Sequence, residues 1–96
     1  MQDFRRLDAF RLADELAYRV YQHSRDWPAH EIYGLTAQVR RAAVSVASNI
    51  AEGCGRESRA DYLRFLDTAI GSALELEYQI SLAGRLGYLH LPTPPA

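Results

Sequence analysis

Apolar residues recur at three- and four-residue spacing along three stretches of this chain, and that period matches the 3.6-residue turn of an α-helix. The first stretch runs from about Asp8 to Arg25. Phe10, Ala13, Leu16, Ala17, Val20 and Tyr21 share one side, with Arg11, Asp14, Glu15, Gln22 and Arg25 opposite. Glu15 precedes Arg19 by four residues, the favourable order for an ion pair on an exposed helix face. Asp26-Trp27-Pro28 ends the pattern, because a residue before proline avoids helical backbone angles and proline donates no amide hydrogen.

The second stretch is the most ordered. Pro28 through Gly34 suits a short helical approach, with Thr36 or a neighbour as the cap of a helix that runs to about Glu52. On its wheel Leu35, Val39, Ala42, Ala43, Val46, Ala47 and Ile50 form an apolar arc, and Gln38, Arg41, Ser45, Ser48, Asn49 and Glu52 form a polar stripe beside it. The small residues of the arc allow a neighbouring helix to come close. Gly53-Cys54-Gly55 supplies positions able to take positive φ, which suits a C-cap and a reversal.

Ser58 followed by Asp61 resembles a capping box, so a third helix is expected from Arg59 to about Leu86, a rod of about 40 Å. Its seam of Tyr62, Phe65, Leu66, Ala69, Ala73, Leu76, Ile80 and Ala83 has Leu63, Ile70 and Leu74 beside it, an apolar arc too wide for two partner helices to cover. Glu77 falls inside that arc. Gly87 is placed to cap the helix, and the chain then enters a proline-rich stretch. The prediction is an all-α, antiparallel up-down helical bundle: one domain over residues 1–89 with three long helices, then a tail over 90–96. A compact chain of this length has a radius of gyration of about 12 to 13 Å, so the long third helix implies an elongated bundle. Its uncovered apolar surface is expected to meet another subunit or a further segment.

Composition narrows the partners. The chain of 96 residues is 48% hydrophobic and 24% charged, values of a folded globular protein. Its net charge is -1, so no whole-molecule positive field gathers a polyanion and any nucleic-acid role rests on a local cluster. A single cysteine, Cys54, excludes an internal disulfide framework and fits a reducing cytoplasm. No apolar run reaches the length of a membrane span or a signal peptide, so a cytoplasmic protein without membrane contact is expected.

Two groups of side chains are candidate sites. The polar stripe with Glu75 reads either as a solvated face or as a buried or interfacial network in which Arg41 pairs with Glu75. Arg56 and Arg59 flank the capped start of the third helix, where backbone amides and the helix dipole favour an anion. They are the leading candidates for phosphate or nucleic-acid contact, with Arg64 one turn on and Arg40 near the other end of the second helix as extensions. A solvated surface cluster is the alternative. His23, His30 and His90 lie in separate segments with no metal-ligand spacing to Cys54, and Glu75 and Glu77 point to different helix faces, so neither a metal site, a cofactor nor a general acid/base pair is expected.

Trp27-Pro28, Glu31, Gly34-Leu35, the run Gln38-Val39-Arg40-Arg41-Ala42-Ala43, Ser45, Asn49-Ile50-Ala51-Glu52-Gly53, Arg56, Ser58, Gly71-Ser72, Glu75-Leu76 and Leu86-Gly87-Tyr88-Leu89 stand in an order and spacing that resembles the bacterial four-helix-bundle proteins associated with 23S rRNA intervening sequences. The resemblance covers nearly the whole chain. It implies that Gln38, Arg41, Ser45, Asn49, Glu52 and Glu75 are the signature polar positions, and that a fourth helix follows the Leu86–Leu89 segment, where this chain has prolines instead. Relatives of the family include the accessory protein of diversity-generating retroelements, a pentameric barrel that binds nucleic acid. The resemblance therefore implies a homo-oligomer, a pentamer by that likeness, with no small-molecule substrate. The expected function is a non-enzymatic, RNA-associated accessory or scaffold; the competing expectation is a protein-interaction module without nucleic acid.

Overall fold

A computed structural model describes residues 3–90, which form three long helices and no strand. They are α1 (Asp8–His23), α2 (Leu35–Cys54) and α3 (Arg59–Arg85), preceded and linked by single turns of 3-10 helix at Phe4–Arg6, Ser24–Asp26 and Ala29–Glu31. The all-α reading holds. The expected tail lies outside the described residues after His90.

Most boundaries fall where the residue chemistry puts them, and the differences have local causes. The last residues expected in α1 tighten into the 3-10 turn before Trp27-Pro28. At the α2–α3 reversal the Ser58 hydroxyl accepts the Asp61 amide at 3.0 Å, while the Asp61 carboxylate lies 3.5 Å from Arg64 on its own helix. The glycines after Glu52 do not cap α2 by positive φ: the helix continues to Cys54 and Gly55 ends it at φ -86°. Nor does Thr36 cap α2. It is buried, and Gly34 stands at the cap position without a side chain.

The cap comes from behind instead. Glu31 Oε1 accepts the Leu35 amide at 3.1 Å, and Oε2 accepts the Tyr88 hydroxyl at 2.9 Å. A β-carbon on residue 34 would come within 2.6 Å of the Glu31 carboxylate, so a side chain there would push the carboxylate off this position. Tyr88 also packs on Trp27, ring centroids 5.8 Å apart, and Gly87, at φ 82°, turns the chain back toward them. One carboxylate thus ties the segment after α3 to the start of α2.

Packing is organised around α2, which meets both other helices, whereas α1 and α3 have little direct backbone approach. One cluster joins Val20, Trp27, Leu35, Val39, Ala43, Leu76 and Ala83; a second joins Ala13, Val46, Ile50 and Ala69. The side of the molecule between α1 and α3 is open. Leu16, Ala73, Leu76, Glu77 and Ile80 line a groove there, and on α3 Leu63, Ile70 and Leu74 are 42%, 59% and 62% exposed within the single chain. The radius of gyration is 14.9 Å, larger than the roughly 12.5 Å of a compact chain this long. Among the described residues no helix is long and apolar enough to cross a membrane.

Two outcomes are expected. Leu76, 2% exposed at the centre of the larger cluster, when cut to alanine costs about 2 to 5 kcal/mol in urea unfolding, a large share of the roughly 5 to 14 kcal/mol available to a domain of this size. The Glu31–Tyr88 pair makes stability depend on pH at both ends. The Leu35 amide and then the Tyr88 hydroxyl hold the Glu31 carboxyl below its ordinary value of 4.5, so its contribution is complete above 4.5 and lost as pH falls through the lowered value. The hydrogen bond to Glu31 and then partial burial hold Tyr88 above its ordinary 10.0, so its contribution is complete below 10.0 and lost as pH rises through the raised value. Thermal melts should show Tyr88→Phe lowering Tm near neutral pH and shrinking the alkaline loss; an unchanged alkaline limb would show that the pair does not tie the chain.

Candidate nucleic-acid interface

The face shared by α2 and α3 is built on close approach. A β-carbon at Gly53 would meet the Phe65 β-carbon at 3.1 Å and the Tyr62 ring at 3.5 Å, so the missing side chain lets the two helices converge at the reversal. Midway along the face the Ser45 and Ser72 hydroxyls share a hydrogen bond of 2.8 Å. Asn49 Nδ2 donates to the Ser45 carbonyl at 2.8 Å and to its hydroxyl at 3.0 Å, which orients the serine toward α3.

The stripe is therefore a network at its middle and a solvated face at its ends. Gln38, Arg41 and Glu52 are exposed, and Glu75 is exposed on α3. Among the described residues Arg41 makes no ion pair, so the pairing of Arg41 with Glu75 is not formed. Glu75 Oε1 instead accepts from Gln79 Nε2 at 3.0 Å, one turn along its own helix, where no long side chain has to be immobilised across a helix gap. Gln79 is 4% exposed and its Oε1 has no partner among the described residues.

The candidate arginines separate into two places. At the α2–α3 turn the Arg56 guanidinium lies 4.7 Å from the Phe65 ring centre and the Arg64 guanidinium 5.1 Å from it, so one ring holds two cations near each other. Arg56 also stands 3.8 Å from Glu52. Arg56, Glu57, Ser58, Arg59 and Tyr62 line a shallow depression of about 310 Å³, and among the described residues Arg59 makes no ion pair. Arg40 does not join them. It sits about 20 Å away along α2, over the Tyr21 ring at 4.8 Å, and donates from Nε to the Ser24 hydroxyl at 2.9 Å, which fastens α1 to α2.

Ser72, Gln79 and Phe65 carry the geometry of this face, yet spacing alone did not mark them. Phe65 reads as one more seam residue, and its pairing with Arg56 across the turn accompanies the close approach at Gly53, while Arg64 is its neighbour on α3. Cys54 is buried beside the depression. Among the described residues no three His, Cys, Asp or Glu side chains come together as a metal site would need.

Residues 5–93 match the model of a family described as 23S rRNA-intervening sequence protein. Compared with curated proteins, the chain finds no match.

Replacing Gly53 with leucine is expected to cost about 1 to 3 kcal/mol in urea unfolding, since the added carbons must displace Phe65 and Tyr62. An unchanged midpoint would mean the helices are not held at this separation.

Proposed function

Since the chain belongs to the 23S rRNA-intervening sequence protein family, we propose that it is a non-enzymatic, self-associating helical scaffold that binds structured RNA at the α2–α3 turn. The observation that carries the reading is the arginine group there: Arg56 and Arg64 held on Phe65, with Arg59 on the rim of the same depression. Cations pre-positioned on an aromatic ring lose less freedom when they meet phosphates. Phosphate contacts supply affinity in proportion to the counterions they release. Glu52, Glu57 and Asp61 lie close by and keep the local potential modest, which fits weak, salt-sensitive binding. Self-association is supported by the exposure of Leu63, Ile70 and Leu74, apolar side chains that a neighbouring copy would cover.

Gel shifts with structured RNA at low salt test the reading. Binding is expected to weaken as salt rises, and the Arg56→Ala/Arg59→Ala variant is expected to flatten the plot of log affinity against log salt by about one unit per arginine removed. No shift at low salt would overturn the RNA reading in favour of a protein-interaction module.

A further inference from the structure

The depression at the α2–α3 turn holds more than cations: Glu57 and Tyr62 share its lining with Arg56 and Arg59. A phosphodiester oxygen accepts hydrogen bonds and donates none, so a surface that met only phosphates would gain from each arginine and lose to each carboxylate. Glu57 works against a pure phosphate site. It is exposed, and among the described residues it forms no ion pair and no hydrogen bond, so both its oxygens are free to accept. A ligand that offers N–H donors as well as negative charge matches this mixture.

The two aromatic rings at the turn differ in what they have left to offer. Phe65 already carries guanidinium groups at 4.7 and 5.1 Å. Tyr62 carries none among the described residues. Its Cδ1 lies 3.5 Å from where a β-carbon on Gly53 would stand, so the ring rests against the end of α2. It is half-buried, and its remaining surface is a wall of the depression. A ring fixed in this way with area to spare is a stacking platform for a base. At about 310 Å³ the depression stands near the small end of ligand sites, which run from about 300 to 1,000 Å³. A paired RNA helix has nothing to insert there, because its bases are stacked inside and its ridges are phosphate and sugar.

Resting on the RNA binding proposed above, we propose that this depression takes one unpaired nucleotide, extruded from a bulge or loop. Its base lies on Tyr62, its edge donates to Glu57, and the phosphates on either side meet Arg56 and Arg59. Guanine suits the carboxylate best, because its N1–H and N2 amino group stand side by side and match two oxygens. Adenine and cytosine each present a single amino group to a carboxylate. Uracil has one N–H, set between two carbonyl oxygens that a carboxylate repels. The depression therefore selects unpaired over paired RNA through Tyr62, and guanine over uracil through Glu57, while the arginines serve every RNA alike.

Fluorescence anisotropy on the full chain, at one low salt concentration, tests this with three RNA duplexes of the same stem: fully paired, with one bulged guanine, and with one bulged uracil. The bulged-guanine duplex is expected to bind about tenfold or more tighter than the paired one, and about fivefold or more tighter than the bulged-uracil one. Glu57→Gln is expected to bring the guanine-to-uracil ratio close to one, because an amide presents one acceptor where the carboxylate presents two. Tyr62→Leu is expected to remove the advantage of either bulge over the paired stem. Circular dichroism checks that each variant is folded; should Tyr62→Leu not fold, the exposed Glu57→Gln decides. Equal affinity for all three duplexes overturns the nucleotide site while RNA binding stands. A guanine preference that survives Glu57→Gln, or a bulge advantage that survives in folded Tyr62→Leu, places the base elsewhere and overturns it too. No binding to any of the three overturns RNA binding and the nucleotide site together.

Discussion

Everything in this fold depends on α2 being packed from two sides at once. α1 and α3 hardly meet, so the helix between them must bury one flank against each neighbour and still leave a third flank for solvent or a partner. Small side chains make this possible. Ala42, Ala43 and Gly53 let neighbouring helices come close, and Val39 and Val46 are buried between them. A bulkier α2 would push α1 and α3 outward and dissolve both clusters together.

The same constraint produces the surfaces on which function rests. With two helices packed on separate flanks of a third, the bundle does not close on itself, and the open side between α1 and α3 keeps apolar residues of a long α3 at the surface. On the other side of α3, the convergence at Gly53 brings Phe65 up to Arg56, so a packing requirement also organises the candidate phosphate-binding group. In each case a local steric fact decides where a polar or charged group is presented.

How far this was legible from the chain depends on whether the controlling interaction is local. The three helices, the Ser58 cap and the Glu15–Arg19 pair at 3.0 Å are set by neighbours within a turn or two, and periodicity reveals them. The start of α2 was not legible, because its cap comes from Glu31, which also binds Tyr88 from the far end of the chain. Arg40 looked like part of a basic surface, yet tertiary contact with Tyr21 and Ser24 turns it into a brace. The expected Arg41–Glu75 pair lost to a contact within one helix turn, the cheaper arrangement for long, solvated side chains. The family resemblance gathered Glu31, Gly34, Gly53, Gly71-Ser72 and Tyr88 into one pattern; the structure supplies a physical reason for several of them.

Amide hydrogen exchange under native conditions tests the central place of α2 most directly. The account requires the amides from Val39 to Ile50 to exchange only through global unfolding, with α1, which is held on one side alone, opening at lower free energy. Protection in α1 equal to or above that of α2 would contradict it, since the middle helix would then not be what holds the other two.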